Sequence, residues 1–305
     1  MLSDKKIRYY QENIPYQLIR IGYGCNINCM FCNVEHYNFK SRNDKIIFYN
    51  LFKKIMQKSS LKSNISISGG EPTLYRKELI SLIKLLKYKG ANKIEVQTNG
   101  IALSDYDFTR TLVQNGLTNA FVSLHSFKEK THDVLVQKKG AYSLCLKGIE
   151  NLLKLNVEVV LNPVICAYNY KEIKKYFAFI INNFPKIKSI SLSIVQPRGE
   201  AFKNKDVIPS YDIISPYIEE ALEYAFENKL TINNPICGLP LCVGNWYKYR
   251  DNCVEYIITK LNKKISIDKI HLKICSLCKF NKFCKGIWPE YYTIHKDRGI
   301  KPIFP

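Results

Sequence analysis

From residue 17 to 200 the chain alternates short β-like runs with stretches of helical period, and this repetition restricts the fold more than any other feature. Successive β runs separated by helix-length connections are the pattern of parallel strands joined by crossover helices. Six such units are present, with strands expected at 17–23, 64–68, 93–98, 119–125, 157–165 and 189–195. Leu79, Leu82, Ile83 and Leu86 mark the inner stripe of one connecting helix, which Gly90 should stop, and Ser104 should cap another that ends near Gly116. A chain of 305 residues, 46% of them hydrophobic, has room for one large domain with an appendage or for two modest domains.

The cysteines set the chemistry. There are 11, and nine cluster toward the two ends. The N-terminus has no signal-peptide-like apolar stretch, so they read as metal ligands in a reducing compartment rather than as disulfides. Cys145 and Cys166 lie in apolar helix and strand patterns and are expected to be small buried hydrophobes. Cys25, Cys29 and Cys32 are spaced by four and three residues, which lets one tight loop offer three thiolates to one iron-sulfur cluster. A four-iron cluster held by three protein ligands keeps one iron open to substrate or cofactor. Structural zinc normally closes four ligands, and His36 is the nearest residue to complete such a set.

A second motif, Ser68-Gly69-Gly70-Glu71-Pro72-Thr73, follows the apolar alternation of Ile65 and Ile67. Two glycines at a strand end let a backbone approach a ligand closely. Together with the CxxxCxxC loop, in which Phe31 precedes the last cysteine, this strand end resembles the radical S-adenosylmethionine (radical SAM) superfamily.

The resemblance implies an α/β fold, a partial (β/α)6 TIM barrel, over 17–205. It also implies a catalytic 4Fe-4S cluster on Cys25, Cys29 and Cys32, and S-adenosylmethionine (SAM) as the second cofactor. The methionyl amino and carboxylate groups of SAM would chelate the open iron, Gly69, Gly70 and Glu71 would hold the amino group, and reductive cleavage would give a 5′-deoxyadenosyl radical. Parallel barrels carry their sites at the C-terminal strand ends. By the same resemblance Thr98, Asn99 and Ser123 would meet the ribose and carboxylate of SAM, while Asn162 and Gln196 would approach the nucleoside. His125 stands where such families often have Asp; it and His132 are expected to be structural or rim residues.

Residues 206–228 read as a Pro- and Tyr-bearing connection into a last helix. The composition then changes, with Cys237, Cys242, Cys253, Cys275, Cys278 and Cys284 following. The stretch from Cys275 to Tyr291 resembles the C-terminal extensions of SPASM or twitch-type radical SAM enzymes, which implies an auxiliary 4Fe-4S cluster in a region spanning 206–305. Cys275, Cys278 and Cys284 would be ligands, with Cys242 as the fourth and Cys237 as its alternative. Cys253 is left as a redox thiol, a hydrogen-atom donor or an unused residue. Trp288 stands where a full SPASM module has a further cysteine, so two complete auxiliary clusters are not expected, and a four-cysteine zinc site is the competing reading.

Lysine and arginine exceed aspartate and glutamate by 46 to 26, a net charge of +20 that would steer a nucleic acid or an acidic peptide, although solvated helix faces at Lys84, Lys87 and Lys89 account for part of it. No membrane span is expected, and the cytoplasm is the expected location. The function expected is a radical SAM oxidoreductase that modifies a peptide. The cysteine loop begins at residue 25, which leaves no room for an N-terminal peptide-recognition domain, so a peptide substrate would need a separate recognition protein or direct binding to the basic surface. An external donor such as flavodoxin or ferredoxin would supply electrons. A catalyst acting on a small metabolite or a nucleic-acid base is the alternative, and a nonenzymatic iron-sulfur electron carrier is a more distant one.

Overall fold

The computed structural model describes residues 17–33, 42–263 and 267–304; the expected extension at 1–16 and His36 lie outside the described residues. In chain order the strands are β1 (Gln17–Arg20), β2 (Asn64–Ser68), β3 (Lys93–Thr98), β4 (Asn119–Val122), β5 (Glu158–Leu161), β6 (Val164–Ile165), β7 (Ser189–Ser191), β8 (Ser193–Ile194) and β9 (Thr231–Asn233). The main helices are α1 (Arg42–Met56), α2 (Arg76–Tyr88), α3 (Tyr106–Asn115), α4 (Glu129–Val136), α5 (Ala141–Lys154), α6 (Ile173–Asn183), α7 (Tyr211–Glu227), α8 (Val254–Lys260) and α9 (Pro289–His295).

The described residues form two compact units, each assembled from separate segments: 17–28, 42–124 and 138–161 in the first, and 29–33, 125–137, 162–263 and 267–304 in the second. In the first unit β1 to β5 lie side by side in chain order, every pair parallel. Alternate residues face opposite sides of a sheet. Ile65, Ile67, Ile94, Val96, Ala120, Val122 and Leu161 form one face, all buried and apolar. The helices bury matching stripes, Leu79, Leu82, Ile83 and Leu86 on α2, Leu112 on α3, and Ile149 and Leu152 on α5, so this is the face that the crossovers cover. The other face differs: Leu18 lies opposite Ser66, Ser66 opposite Glu95, Glu95 opposite Asn119, and Asn119 opposite Glu158.

In the second unit β7 pairs with β9 and β6 with β8, both parallel. The expected strand at 157–165 is interrupted at Asn162-Pro163, because a proline has no N–H for the ladder. The expected strand at 189–195 likewise divides into β7 and β8, with the Leu192 N–H bonded to the Asn233 carbonyl. Strands two and three have their expected limits, strands one and four end earlier, and β9 was not anticipated. Residues 211–227 form the expected helix, with Pro216 inside it, but α8 and α9 follow, so it is not the last.

Ser104 is not the cap of α3. Asp105 is, its carboxylate accepting from the Phe108 N–H at 3.0 Å, while the Ser104 hydroxyl donates to the Ile101 carbonyl. Gly116 closes the helix at φ 126°, as its position suggested. No helix among the described residues is long and apolar enough to cross a membrane.

Leu82 is fully buried in the α2 stripe. Leu82→Ala is expected to lower unfolding free energy by about 2–5 kcal/mol, whereas Lys84→Ala on the exposed side should change it by less than about 0.5 kcal/mol. Denaturant titration of the two variants checks the difference.

Candidate radical SAM site

The glycine pair first serves the loop that follows β1. The Gly70 N–H donates to the Gly22 carbonyl at 3.0 Å and the Glu71 N–H to the Gly24 carbonyl at 2.8 Å. A Cβ on Gly69 would lie 2.3 Å from the Gly22 oxygen, and one on Gly70 would lie 2.3 Å from the oxygens of both Tyr23 and Gly24. The glycines therefore let two backbones meet, and the Gly70 and Glu71 N–H groups hold the start of the cysteine loop.

Glu71 is 1% exposed, and its carboxylate is filled from within the protein. One oxygen accepts from the Thr73 N–H (3.0 Å), the Thr73 hydroxyl (2.6 Å) and the Thr98 hydroxyl (2.7 Å); the other accepts from the Asn99 N–H (2.7 Å). Burial pushes this carboxyl up and the donors pull it back. Thr98 also accepts from the Gly100 N–H. Asn99 donates through its amide to the Asn26 side chain at 2.7 Å, and Lys138 reaches the Asn26 carbonyl at 3.0 Å. Glu71, Thr98 and Asn99 thus form one hydrogen-bonded group that extends to the cysteine loop. Ser123 joins the same strand ends, its N–H bonded to the Thr98 carbonyl and its own carbonyl facing the buried Cys145 thiol.

Asn26, Lys138, Tyr75 and Asp44 were not singled out by sequence. The Tyr75 hydroxyl accepts from the Gly24 N–H at 2.9 Å and donates to Asp44 at 2.6 Å, while Asp44 also accepts from the Tyr23 N–H. Burial and the neighbouring Asp44 raise the Tyr75 hydroxyl above its ordinary value, so it stays a donor. The one available signal was the position of Tyr75 just beyond Gly-Gly-Glu-Pro, which does not reveal its partner.

In the second unit the Met30 N–H donates to the Leu135 carbonyl and the Glu200 N–H to the Cys32 carbonyl, at 3.0 and 2.9 Å. Gly199, at φ 58°, is required there, since a Cβ would approach the Cys32 oxygen to 2.4 Å. Phe31 is buried edge-on against His125, with ring centroids 4.9 Å apart. His125 accepts at Nδ1 from the Val164 N–H and its backbone N–H donates to His132 Nδ1, both at 3.2 Å. Burial lowers both imidazoles, His132 to about 4, so the pair is neutral and structural. Gln196 accepts from the Asn33 amide at 3.2 Å, and Asn162 accepts from the Ser193 hydroxyl at 2.7 Å.

The late cysteines separate into groups. Cys242, Cys275, Cys278 and Cys284 line one cavity with His271, Phe280 and Pro302. Backbone N–H groups reach two of the sulfurs, from Ile303 at Cys278 and from Gly286 at Cys284, both at 3.4 Å. Burial pushes the Cys242, Cys275 and Cys284 thiols up, Cys242 to about 12, so a bound metal would itself have to draw off their protons. Cys237 lies elsewhere, 3.4 Å from the Ser193 hydroxyl, and Cys253 is buried between the Asn234 amide and the Tyr249 carbonyl.

Sequence also passed over Glu95. It is 6% exposed, its carboxylate accepts from the Ser66 hydroxyl at 2.6 Å, and the Gln97 amide donates to Ser66 at 3.0 Å. Burial raises its pKa from the ordinary 4.5 to about 7.

The sequence profile of the Radical SAM superfamily matches residues 19–180. The chain belongs to this superfamily, and with it come a 4Fe-4S cluster and SAM as cofactors. GTP 3′,8-cyclase of Clostridium perfringens (strain SM101 / Type A) is 29% identical over 230 residues, 74% of this chain and 69% of that protein. A probable GTP 3′,8-cyclase of Saccharolobus islandicus (strain Y.N.15.51 / Yellowstone #2) is 29% identical over 207 residues, 66% of this chain and 64% of that protein. The solved structure of native anSMEcpe with bound AdoMet covers 93% of this chain and 82% of its own, with a TM-score of 0.59 at 17% identity, a likeness of fold. The α/β partial barrel expected from sequence is therefore the fold observed.

Because the raised Glu95 pKa favours the protonated native state, its ionisation costs stability as pH rises from about 4.5 through 7. Glu95→Gln removes that cost. It should stabilise the protein by on the order of 3 kcal/mol at pH 8 and by little near pH 4.5, as read from denaturation curves at the two pH values.

Proposed function

We propose that this radical SAM enzyme acts on a small polar metabolite. The observation that carries the reading is the likeness, over about three quarters of the chain, to proteins named for a reaction of GTP. Peptide modification, the reading expected from the cysteine-rich end, draws no such support. A peptide and a separate recognition protein are not invoked as partners.

When bound, the 4Fe-4S cluster and SAM supply a 5′-deoxyadenosyl radical by reductive cleavage. Cys25, Cys29 and Cys32 would hold that cluster. Glu71, Thr98 and Asn99 fix the strand ends around the start of the loop, so a ligand at these ends meets a backbone that is already ordered. An external electron donor, of which flavodoxin and ferredoxin are examples, completes the requirements.

Cys242, Cys275, Cys278 and Cys284 would hold an auxiliary 4Fe-4S cluster. Zinc needs its four sulfurs about 2.3 Å from one point, and among the described residues no three Cys, His, Asp or Glu side chains stand at single-ion spacing. A cavity lined by four sulfurs suits a body with separate corners.

Anaerobic reconstitution is expected to give about eight irons per chain and 5′-deoxyadenosine after reduction with SAM. Cys29→Ala should hold about four irons and release no 5′-deoxyadenosine, and Cys278→Ala should also hold about four while retaining part of the SAM cleavage. Four irons and one zinc in the unaltered protein would refute the auxiliary cluster. Stimulation of 5′-deoxyadenosine by a cellular peptide fraction, with none by the small-molecule fraction, would refute the metabolite reading.

A further inference from the structure

Parallel strands covered on both faces normally read as continuous apolar runs. β2 (NISIS) and β3 (KIEVQT) instead alternate, and the register aligns their polar positions on the face opposite the helices. Across four strands this face carries Ser66, Glu95, Asn119 and Glu158 in one row. Ser66, Glu95 and Asn119 are 1%, 6% and 3% exposed, while Arg20 and Glu158 at the two margins are open.

The two carboxylates are treated differently. Glu158 is met by Lys93 at 3.0 Å and by the Asn119 amide at 2.8 Å. Glu95 has only the Ser66 hydroxyl among the described residues, although a buried carboxylate ordinarily takes a cation or several donors. Its neighbours on the sheet are Ser66, Gln97, Asn119, Lys93 and Glu158, and the one cation among them, Lys93, is engaged by Glu158. A costly buried acceptor that the fold does not neutralise is characteristic of binding and catalytic sites.

We propose that Ser66, Glu95 and Gln97 read the substrate, and that it is a neutral or cationic polar molecule presenting N–H or O–H donors rather than a nucleoside triphosphate. This rests on the metabolite reading given above and narrows it. A triphosphate needs several unengaged Arg or Lys side chains. This face offers two cations, Arg20 at one margin and Lys93, which Glu158 engages, and otherwise carries carboxylates, hydroxyls and amides beside the apolar Leu18, Phe121 and Val160. Ionised Glu95 accepts two donors, and the Gln97 amide adds a second point of recognition. The proteins named GTP 3′,8-cyclase are thus relatives whose substrate this chain does not share.

The test uses the reconstituted holoenzyme with SAM and dithionite. GTP, and a small-molecule cell extract divided by anion exchange into retained and unretained fractions, are added separately, and 5′-deoxyadenosine is counted. The unretained fraction is expected to raise its formation at least tenfold and to raise the melting temperature. Glu95→Gln and Glu95→Ala should need at least tenfold more of that fraction, with SAM binding by titration as the check on folding. In the unaltered enzyme the stimulation should rise between about pH 6 and pH 8, and Glu95→Gln should flatten that profile. Stimulation by GTP or by the retained fraction alone would overturn this proposal and leave the metabolite reading intact. Stimulation only by a peptide fraction would remove both. Variants that respond to the unretained fraction as the unaltered enzyme does would release Glu95 from substrate recognition.

Discussion

The carboxylate of Glu71 is the point on which the first unit's functional end depends. Four donors from three residues reach it, two from the turn after β2 and two from the end of β3. A buried carboxylate costs several kcal/mol unless its lone pairs are met, so the strand ends and the turn hold one another in the arrangement that meets them. The Glu71 N–H and the Gly70 N–H then bind the Gly24 and Gly22 carbonyls. Asn99, placed by its own N–H on Glu71, passes its side chain to Asn26. A loop of small and polar residues, with no helix or strand of its own, is thereby fixed at its start by main-chain bonds from an element about fifty residues away.

This organisation shows what sequence could disclose. The repeated strand and helix periods are local properties, and the hydrophobic stripes on α2 and the limits of β2 and β3 follow from them. Asn162-Pro163 broke a strand because one missing N–H outweighed a continuous apolar run. The cysteine loop and Gly-Gly-Glu-Pro were equally legible, because their spacing is itself the signal. The partners were not. Tyr75, Asp44, Asn26 and Lys138 are ordinary polar residues in sequence and acquire their roles only when chain segments 21 to 112 residues apart are brought together. Glu95 was hidden differently: a glutamate in an alternating strand reads as a solvent-facing position, and only the register across four strands shows it buried.

The 11 cysteines illustrate how burial and neighbours divide one chemistry into several. Cys145 and Cys166 are enclosed by apolar packing, which raises their thiols to about 12 and about 11, so they behave as small hydrophobes. Cys242, Cys275, Cys278 and Cys284 share a cavity, and main-chain N–H groups reach Cys278 and Cys284; burial raises the Cys242 thiol as far as that of Cys145, so it is the shared cavity that sets the four apart. Sequence favoured Cys242 as the fourth ligand and kept Cys237 as its alternative. Cys242 faces the cavity, whereas Cys237 is joined to Ser193 and through it to Asn162.

Charge has the same local character. The net +20 belongs to the whole chain, and part of its lysine lies on exposed helix positions such as Lys84 and Lys87, whereas Lys89, just past the helix end, is half-buried and bonded to the Met56 and Lys58 carbonyls. Exposed charges are screened within about 10 Å at moderate salt, so they influence encounter more than discrimination. On the polar face of the sheet the buried Glu95 has Ser66, Gln97, Asn119, Lys93 and Glu158 as its neighbours, and the nearest lysine is already paired. In that low-dielectric setting one unneutralised carboxylate opposes a second anion more strongly than a distant surface of lysines attracts it. Net charge is therefore a poor guide to what such a face will accept.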